Sequence, residues 1–251
     1  MNFNSILFLV FLIIVFSIHW LFFSKNSKRQ NIFLLCSSLF FYSGWDYRFL
    51  SLILFSTILD YFIGISISNH SKQKVKKVFL LLSLFANLGL LLVFKYFNFF
   101  ITSFNEFSNL FGFQPNLTLL NIILPVGISF YTFQTLSYTI DVYRGKISAT
   151  RDWILFASYV TFFPQLVAGP IERASRMLPQ LSKKRTFDWK ESKEGVRKIL
   201  LGFLKKVVIA DSLSPMVDFT FNNYQELSSL ALLLGAFYFT FQIYCDFSGY
   251  S

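Results

Sequence analysis

The sequence predicts an all-α integral membrane protein, a bundle of several transmembrane helices of which some are broken or re-entrant. Of its 251 residues, 54% are hydrophobic and 20% are aromatic. Only 14% are charged, whereas a soluble domain carries about 25%. Apolar segments of membrane length alternate with short basic segments, which is the pattern of transmembrane helices joined by cytoplasmic loops.

Charge and cysteine content exclude several classes of protein. The formal net charge of +10 is carried by short segments between apolar stretches and not by a basic soluble domain, so nucleic acid is not an expected partner. The lipid bilayer, anionic lipid headgroups and an anionic cytoplasmic ligand fit this charge better. Cys36 and Cys245 lie in apolar segments, and no disulfide framework or metal-ligand spacing is present.

The first half of the chain predicts a series of membrane crossings. Residues 3–23 form an apolar stretch of full span length. The next apolar region, 32–69, is interrupted at 43–46, where Ser-Gly-Trp-Asp predicts a turn. A long helix at 76–104 then crosses outward. The loop that follows it, 105–117, contains Glu106 and Pro115. The basic residues that flank these segments are Lys25, Lys28, Arg29, Lys72, Lys74, Lys76 and Lys77.

The second half begins with a returning helix at 118–142. The stretch 153–168 is short for a span and contains Pro164, so we expect a broken or re-entrant helix. Residues 171–198 are the most polar part of the chain, and a last apolar helix covers 228–247. We expect one membrane domain over 1–251, with the N-terminus outside and the basic loops inside.

Two predicted helices carry polar faces. At 100° per residue, the polar residues of helix 118–142 fall within an arc of roughly 80°; they are Tyr131, Gln134, Tyr138 and Asp141. Small and polar residues of helix 228–247 gather on one side in the same way: Gly235, Tyr238, Gln242, Cys245, Asp246 and Gly249. Such a face lines either a helix interface or a solvated tunnel. Together with a helix broken at 163–166, the two faces could enclose a polar cavity.

Few other polar residues stand out. Asp60 is expected near mid-bilayer, where a carboxylate serves either structural hydrogen bonding or function. Lys95 can extend its ammonium group to the interface. His19 and His70 have no nearby carboxylate in sequence, so a Ser-His-Asp arrangement has little support. No glycine-rich phosphate loop or metal-binding motif is present.

Five stretches stand out in order along the chain: residues 42–46 (Tyr-Ser-Gly-Trp-Asp), 124–145 (which begins Leu-Pro-Val-Gly), 163–173 (Phe-Pro-Gln-Leu to Glu-Arg), 202–211 (Gly-Phe-Leu-Lys-Lys-Val-Val-Ile-Ala-Asp) and 244–251 (Tyr-Cys-Asp-Phe-Ser-Gly-Tyr-Ser). In this order they resemble the membrane-bound O-acyltransferase (MBOAT) family, and the resemblance spans most of the chain. The bacterial branch that acylates polysaccharides is the most similar, alginate O-acetyltransferases in particular. The resemblance implies that 1–251 is the N-terminal portion of a longer MBOAT-type domain.

The resemblance also implies a reaction. An acyl group from a cytoplasmic thioester donor such as acetyl-CoA would pass to a hydroxyl of an exported polysaccharide such as alginate, directly or through a partner acetyltransferase. No bound cofactor or metal is implied, and the location would be the bacterial inner membrane. In this family the catalytic histidine follows the terminal stretch, beyond Ser251. We therefore assign no catalytic residue and expect this chain to be inactive by itself.

Residues at matching positions, or on the two polar faces, are candidates for tunnel-lining or supporting roles. They are Tyr131, Gln134, Tyr138, Asp141, Arg144, Gln165, Glu172, Gln242, Asp246, Ser248 and Tyr250. Glu194, Lys198, Gly202 and Lys206 recur every four residues in a predicted amphipathic helix. The basic stripe of that helix, at 193–206, is interpreted either as an interfacial face bound to lipid headgroups or as a docking surface for an anionic acyl donor.

Two other functions are open on the sequence. A transporter or flippase would also need polar faces and a broken helix, but it would leave the order of the five stretches unexplained. A non-catalytic membrane scaffold would retain only assembly contacts. Substrate uptake without acyl transfer would favour the transporter.

Overall fold

The chain folds into helices that divide into two compact units. The computed structural model describes residues 3, 5–113, 117–166 and 169–251. The larger unit comprises Lys25–Val167 and Ile171–Arg185, and the smaller unit comprises Met1–Ser24, Ala168–Pro170 and Thr186–Ser251. No strand occurs among the described residues, which confirms the all-α class. Three of the described helices are long and apolar enough to cross a membrane: Tyr47–Asn69, Gln73–Leu110 and Ser229–Tyr250.

The larger unit contains eight of the helices in the described ranges. They are α2 (Ser27–Ser43), α3 (Leu50–Asn69), α4 (Gln73–Leu91), α5 (Phe97–Leu110), α6 (Ile128–Tyr143), α7 (Trp153–Val160), α8 (Phe163–Leu166) and α9 (Ala174–Ser182). Its core is rich in aromatic side chains that are fully buried, such as Tyr131, Tyr138, Phe156 and Tyr159. Burial of an aromatic side chain removes about 150–250 Å² from solvent, so these residues contribute strongly to the core.

The turn between α2 and α3 lies where the sequence predicts it. Helix α2 ends at Ser43, and the carboxylate of Asp46 accepts a hydrogen bond from the backbone N–H of Arg48 to start the next segment. The beginning of α2 differs from the prediction: it starts at Ser27, capped by Asn26, and not at 32. The side chain of Asn26 satisfies a backbone donor of the first turn, which allows polar residues to be helical there.

Helices α4 and α5 form one continuous rod, Gln73–Leu110, which is longer than the predicted 76–104. A π turn over Leu92–Tyr96 joins the two helices. Lys95 lies in this turn, where its ammonium group is 3.4 Å from the Ser129 hydroxyl and 5.4 Å from the Tyr96 ring centre. These contacts give the lysine polar partners within its own unit.

The predicted helix at 118–142 is wrong in its first part. Residues 117–127 are not helical, and α6 begins only at Ile128. The Asn98 side chain explains the difference, because it accepts from the backbone N–H of Leu120 and donates to its carbonyl. These two bonds replace helical bonds, and Gly127 then adopts φ +75° immediately before the helix. Pro115 of the predicted loop lies outside the described residues.

The segment 153–168 is a broken helix, as predicted. Helix α7 ends at Val160, α8 covers only Phe163–Leu166, and the peptide between them is not helical. Residues 167 and 168 lie outside the described residues. The chain continues at Gly169, whose φ of +118° is accessible almost only to glycine.

The smaller unit contains four of the helices in the described ranges: α1 (Ile6–Phe22), α10 (Trp189–Phe203), α11 (Asp211–Asn222) and α12 (Ser229–Tyr250). Helix α1 has 17 residues and is shorter than the full span predicted at 3–23. A π turn over Leu204–Ala210 joins α10 to α11. Helix α11 was not predicted from the sequence. It packs against α12, where Gly235 lies against the Thr220 side chain.

Candidate functional site

The five stretches that carry the family resemblance gather into two clusters, one in each unit. Residues 42–46, 124–145 and 163–173 belong largely to the larger unit, whereas residues 202–211 and 244–251 belong to the smaller unit. The group in the larger unit is called the junction cluster, and the group in the smaller unit is called the terminal cluster.

The junction cluster joins the turn after α2 to the two helix breaks. The Tyr42 hydroxyl donates to the carbonyl of Val126 at 3.0 Å. The Ser38 hydroxyl accepts from the backbone N–H of Phe163 at 3.1 Å, and the rings of Phe41 and Phe163 are 5.6 Å apart. Side chains of α2 thus satisfy backbone groups that the breaks leave free, which irregular backbone at membrane depth requires.

Gly127 brings these two breaks into direct contact. A Cβ atom at this position would overlap the carbonyl oxygen of Leu166. Gly127 also has a positive φ, so the site needs glycine both for its backbone conformation and for close approach. The start of α6 is therefore held against the end of α8.

The predicted polar face of α6 is buried, and part of it is used for packing. The Gln134 amide donates to the carbonyl of Tyr159 at 2.7 Å. The Tyr159 hydroxyl is 3.2 Å from the carbonyls of both Gln134 and Glu172. The Tyr138 hydroxyl accepts from the N–H of Thr150 at 3.2 Å. Gln134 therefore joins α6 to α7, and Tyr138 joins α6 to the segment that precedes α7. Both contacts support the structural interpretation of this face.

Tyr131 differs from its neighbours on the same face. Its side chain is 0% exposed, and no described residue offers its hydroxyl a hydrogen bond. The side-chain oxygen of Gln165 in α8 is also buried without a partner among the described residues. Buried polar atoms are normally satisfied, so such atoms point to water or to a bound group. Among the candidate residues of the larger unit, Tyr131 and Gln165 are therefore the ones with a buried polar atom that could bind water or a ligand.

The charged candidates of the larger unit lie at its edge. The ammonium group of Lys146 is 4.0 Å from the Asp141 carboxylate, and Arg144 is exposed at the end of α6. Glu172 contributes its carbonyl and not its carboxylate to the bond with Tyr159. Near the turn, the Arg48 guanidinium donates to Asp46 at 2.6 Å and lowers the pKa of that carboxyl.

A second polar network surrounds Asp60 in the same unit. Its carboxylate accepts hydrogen bonds from the Ser83 hydroxyl at 2.5 Å, the Asn87 amide at 2.8 Å and the Thr139 hydroxyl at 3.2 Å. Asn87 in turn accepts from Ser56 at 2.5 Å. All five side chains are 0% exposed. The network joins α3, α4 and α6 and supports the structural interpretation of Asp60.

The terminal cluster is built around Lys206. Its ammonium group is 2.5 Å from the Asp246 carboxylate and 2.9 Å from that of Asp211. It also lies 5.8 Å from the ring centre of Tyr250. Asp246, a costly charge at the end of a span-length helix, therefore has a counter-ion that sequence reasoning missed. The i, i+4 repeat placed Lys206 on a basic stripe and gave no sign that it pairs with α12.

Two further contacts bring the same segments together. The ammonium group of Lys205 donates to the Ser248 hydroxyl at 2.8 Å. A Cβ atom at Gly202 would lie 2.5 Å from the carbonyl oxygen of Gly249. The two backbones are therefore close enough that only glycine fits at this crossing.

We expect Gly202→Ala to separate these segments and to lower the thermal stability of the purified protein. The matched control is Gly195→Ala in the same helix, where a Cβ atom would meet nothing within 4 Å. The control should raise stability slightly, since alanine favours a helix over glycine by about 1 kcal/mol. Thermal unfolding of both variants in detergent measures the difference, and equal shifts would contradict the close crossing.

Ser248 also lines an open cavity on α12 of about 460 Å³. Its other lining residues are Thr240, Ile243, Tyr244, Phe247 and Ser251. Gln242 has a buried side-chain oxygen without a partner among the described residues. No group of three or more possible metal ligands occurs in the described part of the chain.

These features define an integral membrane protein with polar clusters at broken and closely crossing helices. The chain is 40% identical to the protein named "Probable alginate O-acetylase AlgI" of Pseudomonas aeruginosa. The alignment covers the whole of this chain and 48% of that protein. It is 33% identical to the peptidoglycan O-acetyltransferase of Helicobacter pylori, over 91% of this chain and 47% of that protein. It is 26% identical to the teichoic acid D-alanyltransferase of Bacillus subtilis, over 55% of this chain and 35% of that protein.

The chain belongs to the membrane-bound O-acyltransferase family and matches the N-terminal half of the alginate and peptidoglycan relatives. It spans about half the length of the alginate and peptidoglycan relatives. A scan against protein-family models gave no match. The similarity covers both clusters, since the alignment with the Pseudomonas protein includes the whole chain.

Proposed function

We propose that this chain forms the N-terminal half of an O-acyltransferase that acetylates an exported polysaccharide from the inner membrane. The observation that carries the proposal is the identity of 40% along the whole chain to an alginate O-acetylase. The gathering of all five resembling stretches into two polar clusters supports it. The acyl donor is a cytoplasmic thioester such as acetyl-CoA, and the acceptor is a polymer hydroxyl or a partner acetyltransferase.

The chemistry is an acyl substitution. The acceptor oxygen attacks the thioester carbonyl, the carbon–sulfur bond breaks, and the proton of the hydroxyl ends on the departing thiol. A base must take that proton, and donors must stabilise the oxyanion. We expect this base to be the histidine that, in the family the chain resembles, follows the stretch equivalent to 244–251. From this chain, the Tyr131 hydroxyl is the candidate donor, because it is buried and has no partner among the described residues.

The proposal predicts that residues 1–251 alone do not acetylate polymer, and that joining them to a second half restores activity. The test is a fusion of this chain to the C-terminal half of the Pseudomonas relative, expressed in an alginate-producing host without its own enzyme. Polymer acetylation is measured for the fusion, for 1–251 and for the C-terminal half alone.

Acetylation by the fusion only is the expected result. Turnover by 1–251 alone would overturn the assignment of the base to the missing half. A fusion that inserts into the membrane at normal abundance but does not acetylate would count against the acyltransferase. In that case, uptake of polymer precursors into liposomes would favour a transporter.

A further inference from the structure

Lys206 is placed as the shared counter-ion of two helices. It lies in the π turn Leu204–Ala210, and its two carboxylate partners are Asp211, at the start of α11, and Asp246, near the end of α12. The Lys206 side chain is 21% exposed, whereas the side chains of Asp211 and Asp246 are 43% and 45% exposed. The Asp246 oxygen that faces Lys206 is nevertheless buried, so one cation holds two acids together at a partly exposed site.

This placement separates Lys206 from the basic stripe to which its spacing assigns it. Lys198 on α10 is exposed and has no ion pair within the described ranges. Lys206 comes two turns later, after the helix has changed from α to π geometry. A widened turn redirects the side chains that follow it and is frequent at functional sites. Lys198 can therefore meet headgroups, whereas Lys206 is already neutralised by protein.

We propose that Lys206 is a positioning residue, which fixes the stretch 244–251 through its ion pair with Asp246. A tunnel-lining or supporting role of that stretch in acyl transfer rests on the proposed function. The positioning itself rests on the contacts alone. In this role Lys206 acts through Asp246 and not on the substrate itself.

Removal of the charge should release this stretch for two reasons. The carboxylates of Asp211 and Asp246 would face each other without a cation, and like charges at this distance repel. The crossing of Gly202 and Gly249 depends on very close approach, so a small separation breaks it. The bond between Lys205 and Ser248 joins a charge to a neutral hydroxyl and cannot neutralise either acid.

The chain offers its own reporter of this release. Cys245 is buried next to Asp246, and the other cysteine of the sequence, Cys36, is exposed. In a Cys36→Ser background, the rate at which maleimide labels Cys245 measures how often the end of α12 opens. The background variant should label slowly in lipid vesicles.

Three substitutions separate positioning from a general surface effect. Lys206→Met should speed labelling of Cys245 by about three- to tenfold, because the pair is only partly buried. Lys206→Arg should keep the protection, since it preserves the charge. Lys198→Met is the control, because it removes an exposed lysine one helix earlier, and it should leave the rate unchanged. Faster labelling in Lys206→Arg or unchanged labelling in Lys206→Met would overturn the proposal.

An exchange of charges tests the pairing directly. Each single variant, Lys206→Asp or Asp246→Lys, places groups of like charge next to each other. Each alone should therefore speed the labelling of Cys245. The double variant has one cation and two carboxylates again, so protection should return at least in part. A double variant that labels as fast as the faster single variant would show that the pair does not position the stretch.

Lipid composition and kinetics distinguish this role from the two roles of a basic stripe. Protection should be the same in vesicles of phosphatidylcholine and in vesicles that also contain phosphatidylglycerol; dependence on the anionic lipid would favour headgroup binding. In the fusion enzyme, Lys206→Met should lower kcat with little change in KM for acetyl-CoA, whereas a docking role would raise KM. If labelling responds as expected but the fusion is inactive, the proposed function fails and the positioning stands.

Discussion

Asp60→Leu is expected to destabilise the larger unit by about 3 kcal/mol or more, because each buried donor that loses its acceptor costs about 1–3 kcal/mol. The donors concerned are the Ser83 hydroxyl, the Asn87 amide and the Thr139 hydroxyl. Thr139 can turn to the carbonyl of Thr135, which is also 3.2 Å away, so the largest losses fall on Ser83 and Asn87.

The measurement is the thermal unfolding midpoint of purified protein in detergent, together with abundance in the membrane. Glu106→Leu is the control, since Glu106 is an exposed acid in a helix of the same unit. Surface substitutions usually change stability by no more than about 0.5 kcal/mol. A loss in Asp60→Leu no greater than in the control would contradict the structural role of the network.

Asp60→Asn should fall between the wild type and Asp60→Leu. An amide keeps one acceptor oxygen for Ser83 and Thr139, but its NH₂ group would face the NH₂ group of Asn87. The network can adjust if Asn87 turns its amide over and the Ser56 hydroxyl becomes the acceptor. If Asp60→Asn and Asp60→Leu lose the same amount of stability, hydrogen bonding to residue 60 does not hold α3, α4 and α6 together.

Local signals in the sequence located the helix breaks. Ser43-Gly44 ended α2, and Pro164 marked the broken helix of α7 and α8, because glycine and proline act on the backbone wherever they stand. The polar face of α6 was also predictable, since helical periodicity alone brings Tyr131 and Gln134 to one side. The structure buries that face, in agreement with either reading of it.

Contacts between residues that are distant in sequence determine the features that local sequence patterns did not predict. Hydropathy extends the helix back to 118, but the Asn98 side chain binds the backbone of Leu120 and prevents it. Periodicity likewise could not show that Gln134 is used in packing while the Tyr131 hydroxyl has no described partner. The pairing of Lys206 with Asp246 joins residues forty positions apart, and no local pattern carries that information.

Gly127→Ala is expected to cost more stability than Gly145→Ala, although the two glycines have nearly the same φ, +75° and +70°. They lie at opposite ends of α6. Left-handed backbone costs an ordinary residue about 1–2 kcal/mol, so each variant should lose about that amount. At Gly145 a Cβ atom would meet nothing within 4 Å, and the loss should stop there.

At Gly127 the same Cβ atom would overlap the carbonyl oxygen of Leu166, so the backbone of α8 must move as well. The difference in unfolding temperature between the two variants measures the cost of this overlap, because the cost of the positive φ is common to both. In the fusion enzyme, Gly145→Ala should keep polymer acetylation, and Gly127→Ala should lose most of it, since the junction of the two breaks adjoins Tyr131. Equal stability and equal acetylation in the two variants would mean that the contact between the breaks does not position this cluster.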